Sequence, residues 1–114
     1  MEAAFRFSYL PPVAKLTIEG ELDVHGEAQL AWRLRDIEQL SCEVVRLDVG
    51  RLNYIDDGCM RLIDETRARL AQRGVELEIV AASLPFTLVS GLGGYPALAA
   101  EAQRARGCDE ALVA

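Results

Sequence analysis

The sequence predicts an α/β domain built on a mixed β-sheet with helices packed on it. Three observations lead there. Short runs alternate apolar and polar residues with period two, as strands with one buried face do. Between them lie stretches whose apolar residues recur every three or four positions, as on one face of a helix. The order is strand, strand, helix, strand, helix, strand, helix, and helical crossovers between strands imply parallel pairings of right-handed sense. The 114 residues are enough for one core, and no linker, repeat or low-complexity tract divides them, so residues 1–114 are expected to form a single domain.

Each element has its own signal. Phe5, Phe7 and Tyr9 alternate with Arg6 and Ser8, giving a first strand with those three rings on its buried face. Pro11-Pro12 ends it, because proline cannot donate to a ladder. Leu16 and Ile18 mark a second strand that Gly20 closes, and the short connection predicts a hairpin. Residues 26–40 read as a helix with Leu30, Leu34 and Ile37 on its inner stripe. Trp32 projects from the other side of that helix; burial against a neighbouring element is the favoured expectation, a partner surface the other. The run from Val44 to Val49 is a central strand, followed by a turn over Gly50 to Asn53. A second helix starts near Asp57 and stops at Arg73-Gly74, with Cys59, Ile63, Thr66 and Leu70 inward. Val75, Leu77 and Ile79 form the last strand. A short helix over Leu84 to Ser90 follows, then the glycines 91, 93 and 94, then an alanine-rich helix from Pro96 to Arg106 that Gly107 stops, with one last turn after Asp109.

Composition narrows the function. Hydrophobic residues make up 51% and charged residues 26%, the balance of a folded soluble domain. A net charge of −6 disfavours nucleic acid and anionic membrane surfaces, which both need a basic face. No apolar run reaches the roughly 18 residues of a membrane span. Met1 to Arg6 does not read as a signal peptide, so the expected location is the cytoplasm. Cys42, Cys59 and Cys108 are odd in number and far apart, and His25 is the lone histidine. That argues against a disulfide framework and a zinc site and favours three reduced structural thiols. No nucleophile–base pair, phosphate loop or dinucleotide fingerprint is present, so no catalytic residue, metal or cofactor is expected. Asp56-Asp57 reads as a helix start, where aspartate caps free N–H groups, more readily than as a metal pair.

Two stretches carry a resemblance. Leu16-Thr17-Ile18-Glu19-Gly20-Glu21-Leu22-Asp23 is one; Val45 through Ile63, containing Leu47-Asp48-Val49 and Tyr54-Ile55-Asp56-Asp57-Gly58-Cys59-Met60-Arg61-Leu62-Ile63, is the other. Together they resemble the STAS domain of bacterial anti-sigma-factor antagonists, which has Gly-Glu-Leu-Asp in the first stretch and Phe-Ile-Asp-Ser-Ser-Gly-Leu-Arg-Leu-Leu in the second. The second match is gapless, and the 33 positions from Asp23 to Asp56 also fit the family's pattern. The resemblance implies a small mixed sheet covered by helices mainly on one face. It implies a non-enzymatic, cytoplasmic regulator of transcription. Such a regulator binds an anti-sigma factor, usually a kinase-like ATPase, and so controls release of a sigma factor. Phosphorylation of the second serine of Asp-Ser-Ser-Gly is the family's switch.

Here both serines are missing. Asp56 matches the family's aspartate, Asp57 replaces the first serine, Gly58 stands at the phosphoacceptor position and Cys59 replaces the family's glycine. A phosphate adds about −1.5 to −2 charge at a helix start, and glycine cannot carry one. Either Asp57 supplies a permanent charge, or the domain is always competent to bind; the second is favoured, since Asp57 is displaced by one residue and carries less charge than phosphate. Cys59 could be a reactive thiol, but at the head of an apolar stripe a buried one is the stronger expectation. The expected partner surface comprises Asp23, Asn53, Asp56, Asp57 and Gly58, together with Met60, Arg61 and Asp64 on the exposed side of the second helix. Other readings are a STAS subunit of a lipid-transport ATPase complex, and a stress-signalling scaffold in which STAS domains assemble with one another; a homodimer also remains open.

Overall fold

The computed structural model describes residues 2–113, with side chains through Arg106. Four strands form one sheet in the order β1-β2-β3-β4. β1 (Ala4–Leu10) and β2 (Val13–Leu22) are an antiparallel hairpin turning at Pro11-Pro12, with Leu10 opposite Val13. β3 (Val44–Ile55) runs parallel to β2, and β4 (Glu76–Ala82) parallel to β3. The helices are α1 (Glu27–Glu38), α2 (Asp57–Gln72), α3 (Leu84–Leu92) and α4 (Pro96–Val113).

One face of the sheet is apolar. Ala14, Leu16 and Ile18 of β2, Val45, Leu47 and Val49 of β3, and Leu77 and Ile79 of β4 are buried at alternate positions, as strand pleating dictates. They join a core cluster with Leu30, Leu34 and Ile37 of α1, Ile63 and Leu70 of α2, Phe86 of α3, and Leu98 and Ala102 of α4. The intervening positions, such as Lys15 and Arg46, look outward and are exposed. This is the STAS-like α/β arrangement, a mixed sheet with helices packed mainly on one side.

Several boundaries differ from expectation, each for a physical reason. β2 continues through Gly20 to Leu22. Gly20 has φ +95°, and a side chain there would meet the Glu2 carbonyl at 2.6 Å, so this glycine marks an irregular strand and not its end. β3 continues through the predicted turn at Gly50 to Asn53, because register shifts in the β2–β3 pairing carry both strands on together to Leu22 and Ile55. Within that stretch the buried residues are Leu52 and Ile55, three positions apart, so the period-two signal fades while pairing persists. Phe7 is 43% exposed: Phe5, Phe7 and Tyr9 pair opposite the buried Ile18, Leu16 and Ala14, but β1 is the edge strand, where cover is incomplete. Trp32 stands in solvent on α1, 72% exposed, and folds over no neighbour. α4 runs on through the predicted stop at Gly107 and past Asp109 to Val113, because a single glycine inside a helix costs only about 1 kcal/mol and does not end it; the Cys108 side chain lies outside the described residues.

Candidate functional site

β2, β3 and β4 are mutually parallel, and each is followed by a helix, so α1, α2 and α3 all begin at the same edge of the sheet. In open α/β sheets that carboxyl edge is where ligands and partners usually engage. The Asp56 N–H donates to the Leu22 carbonyl at 2.9 Å and locks the ends of β2 and β3 side by side. The expected residues Asp23, Asp56, Asp57 and Gly58 are therefore brought together.

Their side chains have different tasks. Asp56 is the N-cap of α2: its carboxylate accepts the Cys59 N–H at 2.8 Å. Asp23 accepts the His25 N–H at 2.9 Å and shapes the turn into α1. Asp57 faces outward in a fixed arrangement. Its Oδ2 is 2.9 Å from Arg61, one turn along, and its Oδ1 accepts the Tyr95 hydroxyl at 2.8 Å. That hydroxyl bond holds the Tyr95 phenol above its ordinary pKa and ties the α3–α4 junction to the start of α2. Gly58 is half-buried. A methyl group placed on it would lie 3.3 Å from Glu27 Oε2 and 3.6 Å from Asp56 Oδ1, so the first residue of α1 reaches the first turn of α2.

Asn53 is exposed but belongs to β3 and not to a loop. Arg61 is exposed, and Asp64 is partly covered and paired with Arg67 at 3.2 Å. Met60 was expected on the exposed side of α2, and this must be corrected: it is fully buried. The inner stripe of α2 is wide enough to take both Cys59 and Met60 at its start, where the helix runs into the core.

Cys59 is also fully buried. A helix N-terminus by itself lowers a thiol pKa. Here burial pushes it the other way, up to about 12, helped by Asp56 and by the nearby charges of Glu27 and Asp23. The thiol is thus a packing group, as the apolar stripe predicts.

Sequence reasoning missed part of this edge. α3 is inverted relative to an ordinary surface helix. It buries Phe86, Thr87 and Ser90. The two hydroxyls bond backbone carbonyls of Ser83 and Thr87 at 2.9 Å each. Leu84, Leu88 and Leu92 stand 52%, 50% and 87% exposed, four positions apart along one side. Tyr54, next to Asn53 on β3, is half-exposed. The leucine spacing was visible in the sequence, but α3 is apolar nearly all round and spacing alone did not say which side faces water.

A shallow groove of about 330 Å³ lies beside the edge, lined by Glu2, Glu21, Asp23, His25 and Gln29 among others. Among the described residues no three His, Cys, Asp or Glu side chains are grouped to hold a metal ion, and no helix is long and apolar enough to cross a membrane.

A small mixed sheet with α1, α2 and α3 starting at one edge defines an α/β domain of the STAS class. The family model described as Mlab, STAS domain matches residues 6–109, and the chain belongs to that STAS family. Solved structures agree on the fold. An anti-sigma factor antagonist from Mycobacterium paratuberculosis superposes with TM-score 0.73 at 14% identity, over 82% of this chain and 79% of that one. The anti-sigma factor antagonist SpoIIAA in its unphosphorylated form gives 0.72 at 19% identity, over 87% and 85%. Mglu gives 0.58 at 27% identity, over 65% of this chain and 18% of that much longer one. No curated protein matches in sequence.

Proposed function

We propose that this chain is a protein-binding regulator of the anti-sigma-factor-antagonist kind, without enzymatic activity. It docks through the α2 start and the leucine side of α3 and acts without a phosphoacceptor. One observation carries the reading: α3 turns three leucines to water while burying two hydroxyls. Exposed apolar stripes of this kind mark protein interfaces. The Tyr95–Asp57 bond ties the residues just after this stripe to the α2 start, which supports reading Asp23, Asn53, Asp56, Asp57, Gly58, Arg61 and Asp64 as the rest of the docking surface. The partner is a kinase-like ATPase of the anti-sigma type, binding takes place in the cytoplasm, and residues 1–114 act as one domain. With glycine at position 58, binding is always available and control lies in the amount of protein or in a second partner.

A second reading, a STAS subunit of a lipid-transport ATPase complex, has one observation of its own: the matching family is described by the name Mlab. Affinity capture from native extract separates the two. The wild-type chain and a Leu88→Ser/Leu92→Ser variant serve as baits. A kinase-like ATPase held by the wild type and lost by the variant supports the first reading. Co-purifying membrane transporter subunits support the second. Retention of every partner by the variant rules out the leucine side of α3 as the docking surface.

A further inference from the structure

β1 is the first strand of the sheet and pairs with β2 on one side only. An edge strand presents unpaired N–H and C=O groups, and proteins usually guard it with proline, lysine, a bulge or inward charges. β1 has none of these. Its seven residues, Ala-Phe-Arg-Phe-Ser-Tyr-Leu, hold no proline or lysine and pair with β2 without a register shift. Arg6 is its one charge, and Glu19 of the same copy answers it at 2.9 Å. Phe7 and Leu10 are exposed. The opposite edge is guarded: β4 carries Glu76 and Glu78, and α4 packs against it.

The β1 sequence is also complementary to itself. Turned end to end about Phe7, Ala4 meets Leu10, Phe5 meets Tyr9 and Arg6 meets Ser8. In an antiparallel ladder a two-fold axis passes midway between two directly opposed residues, so a symmetric pair must be centred on one residue type. Centring on Arg6 would oppose two like charges, which destabilises. Centring on Phe7 pairs all seven residues, and any other centre leaves some of them unpaired. Phe5, Phe7 and Tyr9 lie opposite Ile18, Leu16 and Ala14, on the helix-covered side of the sheet. Their rings would meet those of the copy there, and aromatic cross-strand pairs stabilise a sheet.

We propose that β1 pairs antiparallel with β1 of a second copy about a two-fold axis at Phe7, joining two four-stranded sheets into one. This contact closes, because it uses both open edges and leaves only the guarded β4 edges outside. It involves neither the α2 start nor the leucines of α3, so it stands independently of the docking surface proposed above.

Sedimentation velocity of the full chain over a range of concentrations tests it. The chain should pass into a species of twice its mass and no larger. Ser8 is exposed, so its side chain can be changed without disturbing the core. Ser8→Glu sets a carboxylate opposite the partner's Arg6 and should tighten the dimer. Ser8→Arg sets like charges opposite each other and should loosen it. Symmetry makes each pair twice, so the two dissociation constants should differ by about tenfold, and by less at high salt. Phe7→Lys puts like charges on the axis and should leave only the single chain, its circular dichroism unchanged; should that variant unfold, the Ser8 pair decides. A chain that stays single at every concentration, its β1 left to another protein's strand, overturns the proposal. A dimer indifferent to both Ser8 variants, or growth into larger assemblies, overturns it too.

Discussion

At the scale of single residues, the same few side chains show how position decides role. Asp56 was legible because aspartate before an apolar-periodic run is a capping signal, and the cap is where it was expected. Replacing it with alanine should cost about 1 kcal/mol in urea unfolding. Cys59 was legible as a packing residue, and its chemistry follows. Its pKa rises from the ordinary 9.0 to about 12, so between those values the unfolded chain has lost a proton that the folded chain keeps. Stability from this group is therefore full below pH 9 and falls as pH rises toward 12. Cys59→Ala should show a shallower loss over that range, and the native thiol should react slowly with alkylating reagents at pH 8. Met60 was misplaced because one residue of helical phase, about 100°, separates the rim of a stripe from its centre, and sequence spacing does not resolve that. Met60→Ala should cost about 2–5 kcal/mol, the mark of a core residue.

At the scale of elements, the identity of each strand and helix was written in its periodicity, while the strand ends were not. β3 outruns its own alternation because parallel pairing with β2 continues across register shifts. That pairing comes from a partner strand some thirty positions away, and a local pattern cannot contain it. α3 poses the reverse problem: its pattern is uniform, and only tertiary packing shows that hydroxyls go in and leucines out. This inversion makes a prediction. Leu88→Ser and Leu92→Ser should change stability by no more than about 0.5 kcal/mol, as exposed substitutions do, yet remove the partner seen by affinity capture. Tyr95→Phe belongs to the same scale. It cuts the tie between the α3–α4 junction and α2, and is expected to weaken partner capture while thermal unfolding shifts little.

At the scale of the whole molecule, four strands in sequence order put three helix starts along one edge, and this much followed from the alternation of strands and helices. The residues Gly20 to Asp23 and Ile55 to Ile63, which belong to the two resembling stretches, come together at that edge, where β2 and β3 end side by side. Its contribution from α1, through Glu27, was hidden, because the contact to Gly58 joins two helices distant in sequence. The protein has one tryptophan, and Trp32 already lies in water in the folded state. Its fluorescence therefore starts near the red limit of indole emission and should scarcely move when the chain is denatured, even where circular dichroism records a cooperative loss of helix. The same insensitivity makes it a useful reporter of contact: a blue shift on adding a second protein would mean that the outer side of α1 had been covered, and no change would leave that side outside the complex.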